Sequence, residues 1–266
     1  MYRVRKDKLK VNDTCVTFDD NLLCQYDVAL PVLKERGLTA FWFVYTSPLV
    51  GKIEKIEVYS HFRFSMFKDI ETFYEEFFCL ALEKAQELGV NIEGALNAYN
   101  PDNHYIGFDF YTPNDKRFRY LRDDILGKEK YEYLMDSMIE KYQYSVSESA
   151  HKLWMNKVEI QQLSSSGHII GLHSHSHPTI LAKFDYNSQY EEYSKNKEVL
   201  ESIIPSSITT VSYPCNAYNN DTAAIMKKLH IDIGFMANMN HYLGGKLQLI
   251  RKDHANIMRE MRNKYM

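Results

Sequence analysis

Apolar residues in this chain fall into two kinds of run, and their alternation predicts the architecture. Residues 14–18 are mostly β-branched or apolar and end in Asp19 and Asp20, which predicts a buried strand with carboxylates at its C-terminal end. Val28, Leu30, Val32 and Leu33 then recur ahead of Gly37, the pattern of a short helix over residues 25–36. Pro31 fits that helix only in its first turn, where backbone N–H groups have no intrahelical partner. Residues 39–45, TAFWFVY, predict a second buried strand. Strand, helix and strand in this order imply a parallel pair.

From about residue 47 to 147 the alternation stops. Helical patterns cover 69–88 and 129–142, with turn-rich sequence over 101–124. This stretch reads as a largely helical insertion or lid within one domain spanning 1–266, expected beside the C-terminal edge of the sheet. The alternation then resumes. A helix is predicted over 148–163 with Ser147 as N-cap, a strand over 168–172, a helix over 186–204 broken at Pro205, and a strand over 208–213. A helix over 221–229 and strands over 231–236 and 247–250 follow. Six or more parallel strands give an α/β fold, either a doubly wound open sheet or a barrel.

Composition narrows the functional classes. The formal net charge of −3 provides no basic surplus for nucleic acid or an anionic membrane surface. Apolar runs are too short to span a bilayer, and the charged start lacks an apolar core, so the expectation is a cytoplasmic protein, free or at the inner membrane face. Cys15, Cys24, Cys79 and Cys215 are scattered without a C-x-x-C pair and are expected to be reduced, mostly buried thiols. Aromatic content is 14%, high enough to fill a core and also to line a sugar groove.

The densest chemical signal is GLHSHSHP at residues 171–178. On an extended strand His173 and His177 would stand about 13 Å apart and could not share an ion. Coiled into one turn, their Cβ atoms come within about 5–6 Å, suited to two nitrogens on zinc. His175 would then point elsewhere. A polar loop can show the same spacing by chance. Asp19 and Asp20 could divide the roles of metal ligand and proton acceptor, or cap the next helix. Both signals follow predicted strands, the edge where α/β sheets and barrels place catalysis. A His₂-Asp set with an open position suits a catalytic metal.

Taken in order, Thr17-Phe18-Asp19-Asp20, His173-Ser174 with His177-Pro178, and Ser212-Tyr213-Pro214-Cys215 resemble three motifs of the polysaccharide deacetylases. These enzymes are carbohydrate esterase family 4, the nodulation-deacetylase homology group, with motifs T-F-D-D-G, H-[S/T]-x-x-H-P and R-x-P-Y. The resemblance covers about residues 11–45 and 150–235 and leaves the insertion uncovered. It implies a distorted (β/α) TIM-like barrel of about seven parallel strands that hydrolyses an N-acyl or O-acyl group on a sugar with a divalent metal. By position, Asp20, His173 and His177 would hold the metal, zinc first, with cobalt, nickel or manganese as alternatives. Asp19 would be the general base and the Cys215 backbone N–H an oxyanion donor. Tyr213, Pro214 and the Cys215 side chain would wall the pocket, and Ser174 would support the loop. The family's late acid histidine maps to His254 in preference to His241. Two positions depart from the motifs: Asn21 replaces glycine, and Ser212 stands where many members have an arginine that orients the base.

The expected substrate is an N-acetyl or N-formyl sugar on a nucleotide or lipid carrier, made on the way to a surface polysaccharide. Arg63, Arg117, Arg119 and Arg122 are candidate diphosphate contacts, although any one of them is more simply a solvated charge. A catalytically silent glycan-binding barrel and a metal amidohydrolase acting on a non-sugar amide are the competing readings.

Overall fold

A computed structural model describes residues 14–101, 103–104, 111–237 and 245–265. The strands are β1 (Val16–Phe18), β2 (Ala40–Val44), β3 (Ile169–Leu172), β4 (Thr210–Ser212) and β5 (Ile233–Phe235). The helices are α1 (Leu30–Glu35), α2 (Lys55–Met66), α3 (Ile70–Glu83), α4 (Ala85–Leu88), α5 (Ile92–Ala98), α6 (Pro113–Tyr120), α7 (Gly127–Lys141), α8 (Val146–Ala150), α9 (Lys157–Ser165), α10 (Tyr186–Ile203), α11 (Asn220–Lys228) and α12 (His254–Tyr265). Contacts divide the chain into two compact units. One is Met1–Glu54 with Lys152–Met266 and holds the sheet; the other is Lys55–His151 and is helical. Among the described residues no helix is long and apolar enough to cross a membrane.

The sheet runs β1-β2-β3-β4-β5, every pair parallel. Alternation along β2 sends Ala40, Trp42 and Val44 into the layer packed by helices, with Leu30, Leu33, Ile160, Leu163, Tyr193 and Leu200. Phe41 and Phe43 point the other way and meet Ile233 and Phe235 of β5. The Phe41 and Phe235 rings lie 5.1 Å apart although two strands separate them in the sheet, so the sheet is curled into a partial barrel. Gly171 makes room for this interior: a Cβ there would stand 2.6 Å from the Phe43 ring and 2.5 Å from Thr210 Oγ1.

The parallel α/β barrel architecture is as expected, but the described residues contain five strands rather than about seven. Residues 247–250, expected as a strand, contribute one parallel bridge, Leu249 to Phe235. They are held along β5 by Gly234 N–H to Lys246 O and Met236 N–H to Leu249 O, both 2.8 Å.

Two helical expectations are refined. The helix at 25–36 opens with a π-helical turn, Gln25–Ala29, ahead of α1. The helical run begins at Leu23, so Pro31 lies beyond its first turn and directly after the wider π turn. The helix expected over 148–163 is two helices. Ser145, not Ser147, caps α8, and Asn156 opens α9 in a reciprocal capping box with Glu159. The extended link between them bridges Trp154 to Leu22, and Met155 N–H donates to Asn21 O at 3.0 Å.

Within the helical unit Phe62, Phe73, Phe77 and Phe118 are fully buried. Phe118 makes ring contacts of 4.9–5.9 Å with Phe73, Tyr74, Phe77 and Tyr131. Part of the stretch read as turn-rich is helical: Thr112 accepts from Asp115 N–H as the N-cap of α6, and Pro113 follows at the first helical position.

Candidate functional site

β1 ends at Phe18 and delivers Asp19 and Asp20 to the edge of the sheet. The chain turns there through left-handed backbone, with φ 77° at Asp20 and 57° at Asn21. Glycine is the usual residue for such a turn, but asparagine tolerates it. Asn21 therefore keeps the turn that its replacement of glycine put in question. It is buried, and its Nδ2 donates to Met155 O at 3.4 Å.

β3 delivers His173, and the loop after it brings His177 back. This loop is not a helical turn. Ser174 and His177 both have positive φ, 61° and 54°, and Ser174 Oγ accepts from His177 N–H at 3.1 Å. Two α10 side chains hold the loop in place. Glu192 accepts from the backbone N–H groups of His175 and Ser176, at 2.9 and 2.8 Å, and from Ser176 Oγ. Buried Asn196 accepts from His173 N–H at 2.9 Å and donates to Val44 O and Thr46 Oγ1. His175 points elsewhere, to Thr46 Oγ1 at 2.9 Å.

His173 Nε2 and His177 Nε2 consequently lie 3.1 and 3.2 Å from Asp20 Oδ1. One donor atom from each of the three residues falls within 4.8 Å of the others. Donors at about 2.0–2.2 Å around a tetrahedral zinc would be about 3.3–3.6 Å apart, so the set fits a small divalent ion. Ser212 O can only accept, so the 2.8 Å contact from His173 Nδ1 fixes the proton on Nδ1 and turns Nε2 toward Asp20. Burial opposes the Asp20 charge, but its contacts with the two imidazoles hold its carboxyl well below the usual carboxylate range. Burial likewise opposes charging His173, yet Asp19 and Asp20 raise its pKa.

Asp19 is gripped by a residue that the motifs do not contain. Arg251 Nη1 and Nη2 donate to Asp19 Oδ1 and Oδ2 at 2.8 and 2.7 Å. Ser212 Oγ donates to Asp19 Oδ2 at 3.0 Å and accepts from Arg251 Nη2 at 2.9 Å. Arg251 is itself fixed by Nε to Met236 O, 2.8 Å, and by Nη1 to Thr17 Oγ1, 3.1 Å, so it ties the two outer strands together across the open side of the curled sheet. Burial pushes the Asp19 pKa up, but the guanidinium outweighs it and the carboxyl stays below its ordinary range. The arginine missing at position 212 is thus supplied in space from residue 251. Its one sequence signal was a cation directly after the apolar 247–250 segment, at the active edge. Asn196 and Glu192 carried no signal, since each is one polar residue on a polar helix.

The remaining expected residues are spread differently. Tyr213 is fully buried, and its hydroxyl donates to Leu247 O at 2.9 Å, so it packs beneath the site rather than walling it. Pro214 is buried, while Cys215 is exposed in left-handed backbone with φ 49°. Cys15, Cys24 and Cys79 are exposed as well, so the four thiols are not the buried core residues expected. His254 is not brought to the Asp20 set. It starts α12 with its side chain 90% exposed, and its Nδ1 lies 3.4 Å from Asp253 Oδ1. His241 lies outside the described residues.

A family model described as polysaccharide deacetylase matches residues 129–234, a span that takes in His173 and His177 and begins after Asp19 and Asp20. No curated sequence matches the chain significantly. Among solved structures, the Streptococcus pyogenes deacetylase PplD in complex with acetate is 14% identical with a TM-score of 0.51, over 98% of this chain and 75% of that one. A de-N-acetylase from Aggregatibacter actinomycetemcomitans is 11% identical with a TM-score of 0.52, over 97% and 79%. The BpsB deacetylase domain from Bordetella bronchiseptica is 12% identical with a TM-score of 0.51, over 94% and 75%. At such identities these likenesses speak to the fold. Together with the family model they bear out the resemblance to polysaccharide deacetylases read from the motifs.

Proposed function

We propose that this polysaccharide-deacetylase-like chain is a metal-dependent hydrolase that removes an N-acyl group, acetyl or formyl, from a sugar. The observation that carries the reading is the convergence of His173 and His177 Nε2 on Asp20 Oδ1, beside an Asp19 clamped by Arg251. The substrate class is the one the sequence suggested, an N-acylated sugar linked to a nucleotide or a lipid.

Asp20, His173 and His177 would hold the metal, which when bound supplies Lewis-acid polarisation and a water of lowered pKa. Asp19 takes the proton of the attacking water. Arg251 keeps Asp19 ionised and aims both of its oxygens. The acyl oxygen gains negative charge as the carbon becomes tetrahedral, and the Cys215 backbone N–H is the proposed donor to it. Asp19 then returns its proton to the leaving nitrogen as the C–N bond breaks. Exposure of His254 favours this one-carboxylate route over a dedicated acid.

The test is release of acetate or formate from N-acetylated and N-formylated nucleotide sugars, with and without a chelator. Release that stops on chelation, returns with added zinc or cobalt and is absent in Asp20→Asn is the expected result. Chelator-insensitive release overturns the metal role. Sugar binding without release favours the silent barrel, and release from non-sugar amides alone favours the amidohydrolase.

A further inference from the structure

Arg63, on α2 of the helical unit, is only 9% exposed. Its guanidinium carbon lies 5.1 Å from the Phe118 ring centroid and 5.5 Å from that of Phe73, and its Nε has no hydrogen-bond partner. Arg119 and Arg122 are three residues apart, on α6 and the π-helical turn Leu121–Leu126 that continues it, a spacing that places side chains on one helical face. Both act on Arg63 electrostatically, as do Tyr131 and Tyr74. Carboxylates are present, but they are matched to the other two arginines. Arg119 Nε donates to Asp115 at 2.8 Å, and Arg122 donates from Nε and Nη2 to the two oxygens of Asp123 at 2.8 and 2.7 Å.

Aromatic faces recover part of the cost of burying a guanidinium. An anion meeting it directly recovers more, because a buried charge is costly until it is paired and hydrogen-bonded. We propose that Arg63, flanked by Arg119 and Arg122, is the centre of a binding site for a phosphoryl group in the helical unit. The planar guanidinium fork matches phosphate oxygens, and a group with several anionic oxygens can be shared among cations from separate elements. Burial first, and then the two flanking arginines, hold the Arg63 pKa below the ordinary arginine value, a bias that a bound anion would reverse. The site lies within Lys55–His151, so it stands or falls independently of the hydrolase reading.

Calorimetric titration of inorganic phosphate and pyrophosphate into the full chain tests it. Repeating the titration after chelation separates any diphosphate held through a metal at Asp20. Saturable binding that survives chelation is expected. Arg63→Met, checked for folding by circular dichroism, should weaken it by about tenfold to a hundredfold. Arg63→Lys, which keeps the charge but loses the fork, should fall between the two. If Arg63→Met does not fold, Arg119→Gln decides, because that side chain is 22% exposed and its loss should also weaken binding. Comparing a nucleoside diphosphate with a prenyl diphosphate identifies the carrier, since the true one should bind more tightly than pyrophosphate. Absence of saturable binding to the unaltered chain, or unchanged affinity in Arg119→Gln and in folded Arg63→Met, overturns the proposal.

Discussion

Asp19 in the strand unit lies between two nitrogens of Arg251, and Asp20 lies against two imidazoles. Two of those three partners are fixed in turn by backbone, Arg251 by Met236 O and His173 by Ser212 O, while His177 Nδ1 has no hydrogen-bond partner among the described residues. In the helical unit Arg63 is as well buried, yet it rests on two phenylalanine rings with its Nε unmet. The difference is the basis for the two ligand chemistries proposed for the units. The strand unit assembles opposite charges at a sheet edge and leaves room for a cation among them. The helical unit holds one guanidinium on aromatic rings without a carboxylate hydrogen-bonded to it among the described residues, where an anion is the proposed partner.

Four changes sharpen or break this comparison. The largest effect is expected from Asp19→Asn, which removes the proposed proton acceptor and should lower turnover by about 10²–10⁴-fold while zinc uptake, followed by metal analysis, is retained. Turnover near that of the unaltered chain would remove Asp19 from the reaction. Phe118→Ala should cost about 3–5 kcal/mol of stability in denaturant titration, because the ring is fully buried among Phe73, Tyr74, Phe77 and Tyr131. A loss below 1 kcal/mol, on the order of a surface change, would show that the aromatic core is not what carries the helical unit.

Arg251→Ala comes next. Loss of two charge-assisted hydrogen bonds should reduce kcat by about tenfold to a hundredfold, with KM little changed. Ser212 Oγ already touches both Asp19 and Arg251, so an arginine at 212 would enter the vacated space. Adding Ser212→Arg to Arg251→Ala should recover part of the loss, and a double variant as slow as the single would argue that Arg251 acts only by closing the sheet. The smallest effect concerns Glu76 of α3, whose pKa is lowered by hydrogen bonds from Lys141 and Tyr142. A lowered folded pKa stabilises above the ordinary glutamate value and is lost as pH falls through the folded one. Glu76→Gln should therefore flatten the acid limb of the stability profile by less than about 1 kcal/mol, as suits a partly exposed pair. An unchanged limb would assign it to other carboxylates.

The order of elements in the strand unit was legible because its periods are local. Five of the six expected strands are strands, and the sixth, at 247–250, is a single bridge because β5 reaches it through only a few hydrogen bonds. Asp19, Asp20 and His173 were legible for a related reason: they come within two residues of a strand end, so sequence position alone puts them at the C-terminal edge of the sheet, and His177 follows His173 at a ligand-like spacing. Tertiary structure decided the rest. Arg251 is 232 positions from Asp19, and only the curl of the sheet brings the last segment beside the first strand. His173 and His177 converge through two left-handed residues and two α10 side chains, where local pattern suggested a helical turn. Arg63, which read singly as a solvated charge, is buried against the rings of Phe73 and Phe118, because helix packing, not residue type, sets which charges lose their water.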